Sequence, residues 1–360
     1  MTTITEYQVC KTDLNETRLV EREVTSLGDG EIIAKVDRFA FTANNITYGV
    51  VGERIGYWKF FPVEDKAWGI IPVWGFADVI ESRHDEINVG ERLYGYWPMG
   101  SHLIMAPGKV QPTRLLDAAT HRQELPPVYN SYQRVTFEQG YDGDMDDERM
   151  VLFPLYATSF CLYDFLLDND WFGAQQVIIP SASSKTAIGT AYAITEDASR
   201  PALVGLTSER NKAAVAALSL YDTVLTYDAI NEVDAKTPTV IVDMSGNGDV
   251  LGALHKHLGD NMKYTTNVGV THFDANKMGP DFISERSAMF FAPGHIQKRT
   301  KDWGPGEFEK RAGLFWHQAS LKSRNWLAIK TASGPEAIDA AYRDVLNAKT
   351  PANAAWVVGF

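Results

Sequence analysis

Six consecutive residues carry the clearest chemical pattern in the chain: Ala182-Ser183-Ser184-Lys185-Thr186-Ala187. They have the spacing of G-x-G-x-x-G, with Ala182, Ser184 and Ala187 in the glycine places. Glycines stand there so that backbone can approach a pyrophosphate and the following helix can pack close to its strand. Alanine and serine are the next smallest choices, so the approach survives in reduced form. The N–H groups of a helix start, and the positive end of its dipole, favour an anion. Ser181, Ser183, Ser184, Lys185 and Thr186 add donors. An ordinary polar loop has the same composition, and the turn alone leaves both readings open.

The elements around the turn support the anion site. Val177–Ile179 is an apolar run with the character of a buried strand, Ile188–Thr195 is helical, and Ala202–Leu206 is a second apolar run. Strand, small-residue turn, helix and strand within about thirty residues make a βαβ unit. A ribose-binding Asp or Glu is usual at the end of the second strand. Here Thr207 stands in that place, twenty positions after Ala187, and is neutral. Ser208, Arg210 and Lys212, with Asn211 between the cations, suit a 2′-phosphate through hydroxyl and cationic donors. The pattern predicts NADP as the cofactor. Glu209 is the residue that would favour NAD, and a solvated helix start is the plain alternative.

Length and composition bound the rest. The 360 residues suggest two domains, and 45% hydrophobic with 22% charged residues suits a globular chain. A net charge of −12 argues against a nucleic-acid partner, and the basic stretch Gln297–Lys301 is too short to change that. No run of apolar residues reaches membrane-spanning length and no signal pattern opens the chain, so the expected location is cytoplasmic, with no membrane partner. Cys10 and Cys161 cannot build a disulfide framework or a cysteine zinc site.

Residues 1–115 alternate as strands do, at Arg18–Val24, Gly30–Arg38, Ile70–Glu81 and Arg92–Tyr96, with a turn at Gly28-Asp29-Gly30. The stretches GEIIAKVDRFAFTANNITYG, IIPVWGFADVIES and NVGERLYGYW resemble the N-terminal domain of medium-chain dehydrogenase/reductases. The likeness is nearest to their zinc-independent quinone oxidoreductase and enoyl reductase branch. It continues through a linking helix (PLYATSFCLYDFLL), the βαβ unit, LSLYDTVLTYD and VIVDMSG. It implies an α/β fold: a Rossmann-type doubly wound parallel sheet plus a β-rich GroES-like domain. The expected domains are 1–155, with an inserted lobe at about 117–150 whose acidic run Asp142–Glu148 reads as a solvated face; 156–300 for the dinucleotide; and a C-terminal return over 301–360.

The resemblance also assigns residues. Tyr227, Ser245, Gly246, Gly269 and Val270 fall at strand ends that meet the cofactor in such enzymes. Thr42 and Trp74 take the approximate places of zinc ligands and neither suits the metal, so no metal is expected. The eight histidines show no metal spacing. Thr42, Asn44 and Tyr48, with Tyr57 as a weaker choice, are the candidate catalytic residues, since their segment borders the cleft in the related enzymes. The aromatic density of residues 48–76 suggests a small, flat or aromatic substrate. Phe290-Phe291-Ala292-Pro293 reads as an edge strand and a homodimer contact, residues 336–348 as a helix and Ala355–Phe360 as a last strand. The expected activity is hydride transfer between NADP(H) and an activated alkene, quinone or carbonyl. A lyase or other non-redox enzyme on the same scaffold, or a non-catalytic cofactor-binding protein, are the alternatives.

Overall fold

Apolar runs buried on both faces become parallel strands, and this chain carries a set of them. In the computed structural model, which describes residues 1–268 and 281–360, Gln176–Pro180, Ala202–Thr207, Thr223–Thr226, Thr239–Asp243, Met262–Asn267 and Ser287–Met289 form one six-stranded sheet. Every neighbouring pair in it is parallel. The third strand in sequence lies at one edge, followed by the second, first, fourth, fifth and sixth. This is the doubly wound dinucleotide-fold order, reversing between Gln176–Pro180 and Thr239–Asp243. Ile178, Val204, Leu206, Ile241, Leu251 and Leu254 share a core on one side of the sheet.

The chain divides into two units, residues 1–151 with 328–360, and residues 152–327. The return therefore begins at Ala328, later than the expected 301. The reason is packing: helix Glu307–Ser323 sets Phe308 and Ala312 against Cys161, and Arg299 on helix Ala292–Trp303 binds Asp164 through both carboxylate oxygens. The edge strand also differs. Ser287–Met289 makes the pairing, while Ala292 and Pro293 already open a helix. Proline suits a first helical turn because its missing N–H would have no partner there.

The first unit is built on antiparallel pairing of Ile32–Phe41, Pro72–Ser82 and Arg92–Pro98, with the C-terminal strand Ala354–Gly359 joined to Phe39–Phe41. Residues 117–150 do not form a lobe apart. Ser131–Arg134 pairs with Leu93–Tyr94 on one side and Arg114–Leu116 on the other, which puts the segment inside the sheet. The acidic run is a solvated face only in its first half, at the exposed Asp142 and Asp144. Asp146, Asp147 and Glu148 open the helix Asp146–Asp168, where negative charge complements the dipole. Asp146 and Asp147 pair with Arg92 and Arg38 at 3.1 and 2.8 Å. By length and composition this helix could cross a bilayer, contrary to the expectation from sequence. Half of its apolar stretch is covered by the fold, and its Asp164 sits in an ion pair.

Candidate functional site

Strand Gln176–Pro180 ends at the point where the sheet order reverses, the place where doubly wound sheets bind ligands. Ser181 leaves the strand in the left-handed region (φ 59°), unusual without glycine, and its N–H donates to Tyr227 Oη at 3.1 Å. Ala182 is fully buried; its N–H donates to the Leu206 carbonyl and its carbonyl accepts from Tyr221 Oη at 3.1 Å. Ser184 caps helix Lys185–Thr195, its Oγ accepting the Ala187 N–H at 3.3 Å. Ala187 is fully buried. The close approach of this helix to helix Asp146–Asp168 comes at Gly189, two residues after the third small position of the fingerprint. A β-carbon on Gly189 would stand 2.5 Å from the Tyr156 ring and 2.6 Å from Ser159 Oγ.

Donors remain at the helix start. The N–H groups of Ser183 and Thr186 have no hydrogen-bond partner among the described residues. Lys185 lies on the first turn, where burial pulls its ammonium down to about 8. At the end of the second strand, Thr207 is buried, and Asn211 Nδ2 donates to Ser183 Oγ at 3.0 Å, joining the two halves of the site. Ser208 Oγ is buried with no partner among the described residues. Arg210 and Glu209 are exposed, and neither Arg210 nor Lys212 has an ion pair among the described residues.

Two further strand ends complete the row. Asp243 is fully buried; its carboxylate accepts the Ser245 N–H at 2.9 Å, the Ser245 hydroxyl at 2.6 Å and the Gly246 N–H at 3.1 Å. Ser245 and Gly246 (φ 61°) are thereby held in a fixed turn. Asn267 ends its strand fully buried, its Oδ1 without a partner among the described residues. Gly269 and Val270 lie outside the described residues. A buried hydroxyl, a buried amide oxygen, two open N–H groups and flanking cations match what a phosphorylated dinucleotide presents.

In the first unit, Tyr48 is buried and its hydroxyl oxygen accepts from Asn44 Nδ2 at 2.8 Å and Trp74 Nε1 at 3.4 Å. Tyr57 lies against it, ring centroids 4.6 Å apart, and shares a hydrogen bond with Tyr129 at 3.1 Å. Burial raises the pKa of both Tyr48 and Tyr57, so both stay protonated. Thr42 is otherwise engaged: its N–H and hydroxyl both donate to Asn45 Oδ1, at 2.9 and 3.2 Å, which fixes the entry to helix Ala43–Val50.

Over residues 39–351 the sequence matches the family described as "Protein of unknown function (DUF2855)". The chain belongs to that family. No curated protein matches it in sequence. In structure it is similar to CurA from Vibrio vulnificus in complex with NADPH, with a TM-score of 0.61, 13% identity and 99% of each chain covered. A mutant enoyl thioester reductase from Candida tropicalis gives 0.59 at 10% identity over 100% of each chain. The CurK enoyl reductase gives 0.60 at 12% identity, covering 99% of each. The fold of this family member is therefore that of the medium-chain dehydrogenase/reductases, with a Rossmann-type and a GroES-like part.

Of the catalytic candidates, the structure brings Asn44, Tyr48 and Tyr57 together and sets Thr42 to capping. Of the cofactor candidates, Ser181 meets Tyr227 and Ser183 meets Asn211. Asp243, Tyr221 and Tyr129 escaped sequence reasoning. Asp243 does stand at the end of the apolar run Val240–Val242, a signal that could have found it. Among the described residues, no group of three or more His, Cys, Asp or Glu side chains is placed to hold a metal ion.

Proposed function

We propose that this protein is a zinc-independent, NADP(H)-dependent oxidoreductase that transfers hydride to an activated alkene, quinone or carbonyl substrate. The observation that carries the reading is the row of unmet polar groups, Ser208 Oγ, Asn267 Oδ1 and the N–H groups of Ser183 and Thr186, along the strand ends of a doubly wound sheet. The likeness to CurA in complex with NADPH and to enoyl reductases supports it. Lys185 and the open N–H groups would hold the pyrophosphate, Ser208, Arg210 and Lys212 the 2′-phosphate, and Asn267 an amide donor. The nicotinamide supplies the hydride when bound.

The chain's own contribution is charge stabilisation. Tyr48 Oη receives two N–H groups, so its hydrogen is directed away from Asn44 and Trp74. That hydrogen meets the substrate oxygen as negative charge develops on it, and the two donors hold the phenol in place. Calorimetry with NADPH, followed by turnover against small enones and quinones, tests the reading. Tyr48→Phe is expected to lower kcat by about two orders of magnitude with little change in NADPH affinity. Absence of NADPH binding would sink the proposal. Binding without oxidation across the panel would replace it with a non-redox enzyme or a cofactor-binding protein.

A further inference from the structure

The nine-stranded sheet of the first unit ends on Ala328–Ser333, which pairs with Ala354–Gly359 and with no other strand among the described residues. The Ala328 N–H donates to the Asn353 carbonyl and the Gly334 N–H to the Gly359 carbonyl, both at 2.8 Å. In a parallel ladder, alternate residues give both backbone groups to the neighbour and those between turn theirs away. Ala328, Lys330 and Ala332 therefore face the sheet, and the N–H and C=O groups of Ile329, Thr331 and Ser333 point outward from its edge. These outward groups have no partner among the described residues. Thr331 and Ser333 are exposed and Ile329 is half-buried.

An unpaired edge is a template for another strand, and monomeric folds guard it with charge, proline or a bulge. Other edges of this unit are guarded. Pro107–Gln111, at the far end of the same sheet, has its proline, Lys109 in the left-handed region (φ 47°) and a break in register between Gly108 and Gln111. Thr17–Val24, at the edge of the smaller sheet, carries Arg18, Glu21, Arg22 and Glu23. Ala328–Ser333 has no proline and keeps an unbroken register. Its one charge, Lys330, is drawn inward: the ammonium lies 5.0 Å from the ring centroid of Trp356 on the neighbouring strand.

We propose that Ala328–Ser333 is the contact for a second copy of this chain, the two strands pairing antiparallel about a two-fold axis at Thr331. The strand is complementary to itself in that register. Thr331 meets the partner's Thr331, and Ile329 meets the partner's Ser333, as hydrogen-bonded pairs, so every outward group is matched. Threonine pairs across strands stabilise a sheet. Lys330 meets the partner's Ala332, so like charges do not stand opposite. Moving the axis one residue toward Ala328 would set Lys330 against the partner's Lys330, which selects the register at Thr331. A surface that complements itself in hydrogen bonding and in charge is what a two-fold contact requires. The contact is independent of the oxidoreductase reading.

Sedimentation velocity of the full chain, from micromolar to hundred-micromolar concentration, tests the contact. The wild type is expected to dimerise across that range. Thr331→Lys sets two ammoniums face to face at the axis and is expected to weaken the dimer about tenfold at low salt, with part of the loss recovered in about 0.5 M salt. Thr331→Pro removes an outward N–H and no bond to Ala354–Gly359, and is expected to weaken the dimer about as much with no recovery in salt. Both changes fall at an exposed position and are expected to leave the circular-dichroism spectrum as in the wild type. Phe291→Lys, in the other unit, is expected to leave the dimer intact, which separates this contact from one at Phe290–Pro293. A wild type that stays monomeric throughout, a dimer that both Thr331 variants leave unchanged, or one that only Phe291→Lys dissolves, overturns the proposal.

Discussion

Gly205 makes the room that Ala182 needs. A β-carbon on Gly205 would stand 3.0 Å from the Ala182 methyl and 2.9 Å from the Tyr221 ring, closer than such atoms pack. The first glycine of the usual turn is thus replaced by a methyl, and the missing space is supplied by a glycine on the neighbouring strand. Gly205→Ala is expected to destabilise by about 1–3 kcal/mol, as overpacking does, and to weaken NADPH binding. Adding Ala182→Gly should recover part of the loss. Thermal unfolding of the single and double variants decides: a double variant no better than the single would leave Tyr221 as the whole cause.

Ala187 is fully buried at the first turn of helix Lys185–Thr195. Ala187→Val should lower the melting temperature, by about 1–3 kcal/mol in stability, and shrink the NADPH-induced shift. Ala187→Gly should keep the shift with a smaller stability loss from chain entropy. An intact shift in the valine variant would show that the helix start does not read the pyrophosphate.

Arg210 is exposed beside the buried Ser208 hydroxyl and has no ion pair among the described residues. Arg210→Ala should weaken NADP(H) by about ten- to a hundredfold and leave NAD(H) nearly unchanged, since a charge-assisted bond to phosphate contributes about 1.5–3 kcal/mol. Equal losses for the two dinucleotides, measured by calorimetry, would remove Arg210 from the 2′-phosphate.

Lys185 gives the site a pH dependence. Burial lowers its pKa from 10.5 to about 8, so the ammonium that pairs with phosphate is lost as pH rises through that value. NADPH affinity should fall above pH 8 in the wild type and be flat there in Lys185→Met. Stability runs the other way. Between about 8 and 10.5 the folded chain holds fewer protons than the unfolded one, so this residue's contribution improves with pH in that window. A wild-type affinity that does not change above pH 8 would show that Lys185 does not pair with the ligand.

His255 makes the dinucleotide unit acid-sensitive. It is fully buried, its Nδ1 accepting the Ile283 N–H at 2.9 Å and its Nε2 donating to Thr265 Oγ1 at 2.9 Å. Burial lowers its pKa from 6.5 to about 4. The folded chain therefore binds fewer protons across that range, and the contribution is whole above pH 6.5 and lost as pH falls towards 4. His255→Gln should be less stable at pH 7 and show a shallower decline on acidification. Parallel urea titrations at pH 7 and pH 5 measure the difference, and equal slopes would contradict it.

The βαβ unit was legible in the sequence because its determinants are local. Strands covered on both faces need unbroken apolar runs, and Val177–Ile179 and Ala202–Leu206 are such runs. Ser184 precedes a helical pattern and caps it, as serine does when its side chain can take an N–H of the first turn. The boundaries moved where a distant partner intervened. Residues 117–150 carry turn signals that suggest a lobe, yet Ser131–Arg134 finds strands on either side that no local pattern announces.

The sequence by itself determined the fold class and the turn at the switch point, because periodicity and small-residue spacing act within a few residues of themselves; the segment that holds Asn44, Tyr48 and Tyr57 was singled out only by the family resemblance. Only the tertiary structure decided that Gly205 accommodates Ala182, that Asn211 reaches Ser183 across 28 positions, and that Tyr129 closes the ring of phenols begun by Tyr48. Those relationships depend on which strands become neighbours. A strand's own side chains set which faces are buried, but the partner that fills each gap is chosen by the packing of the whole unit.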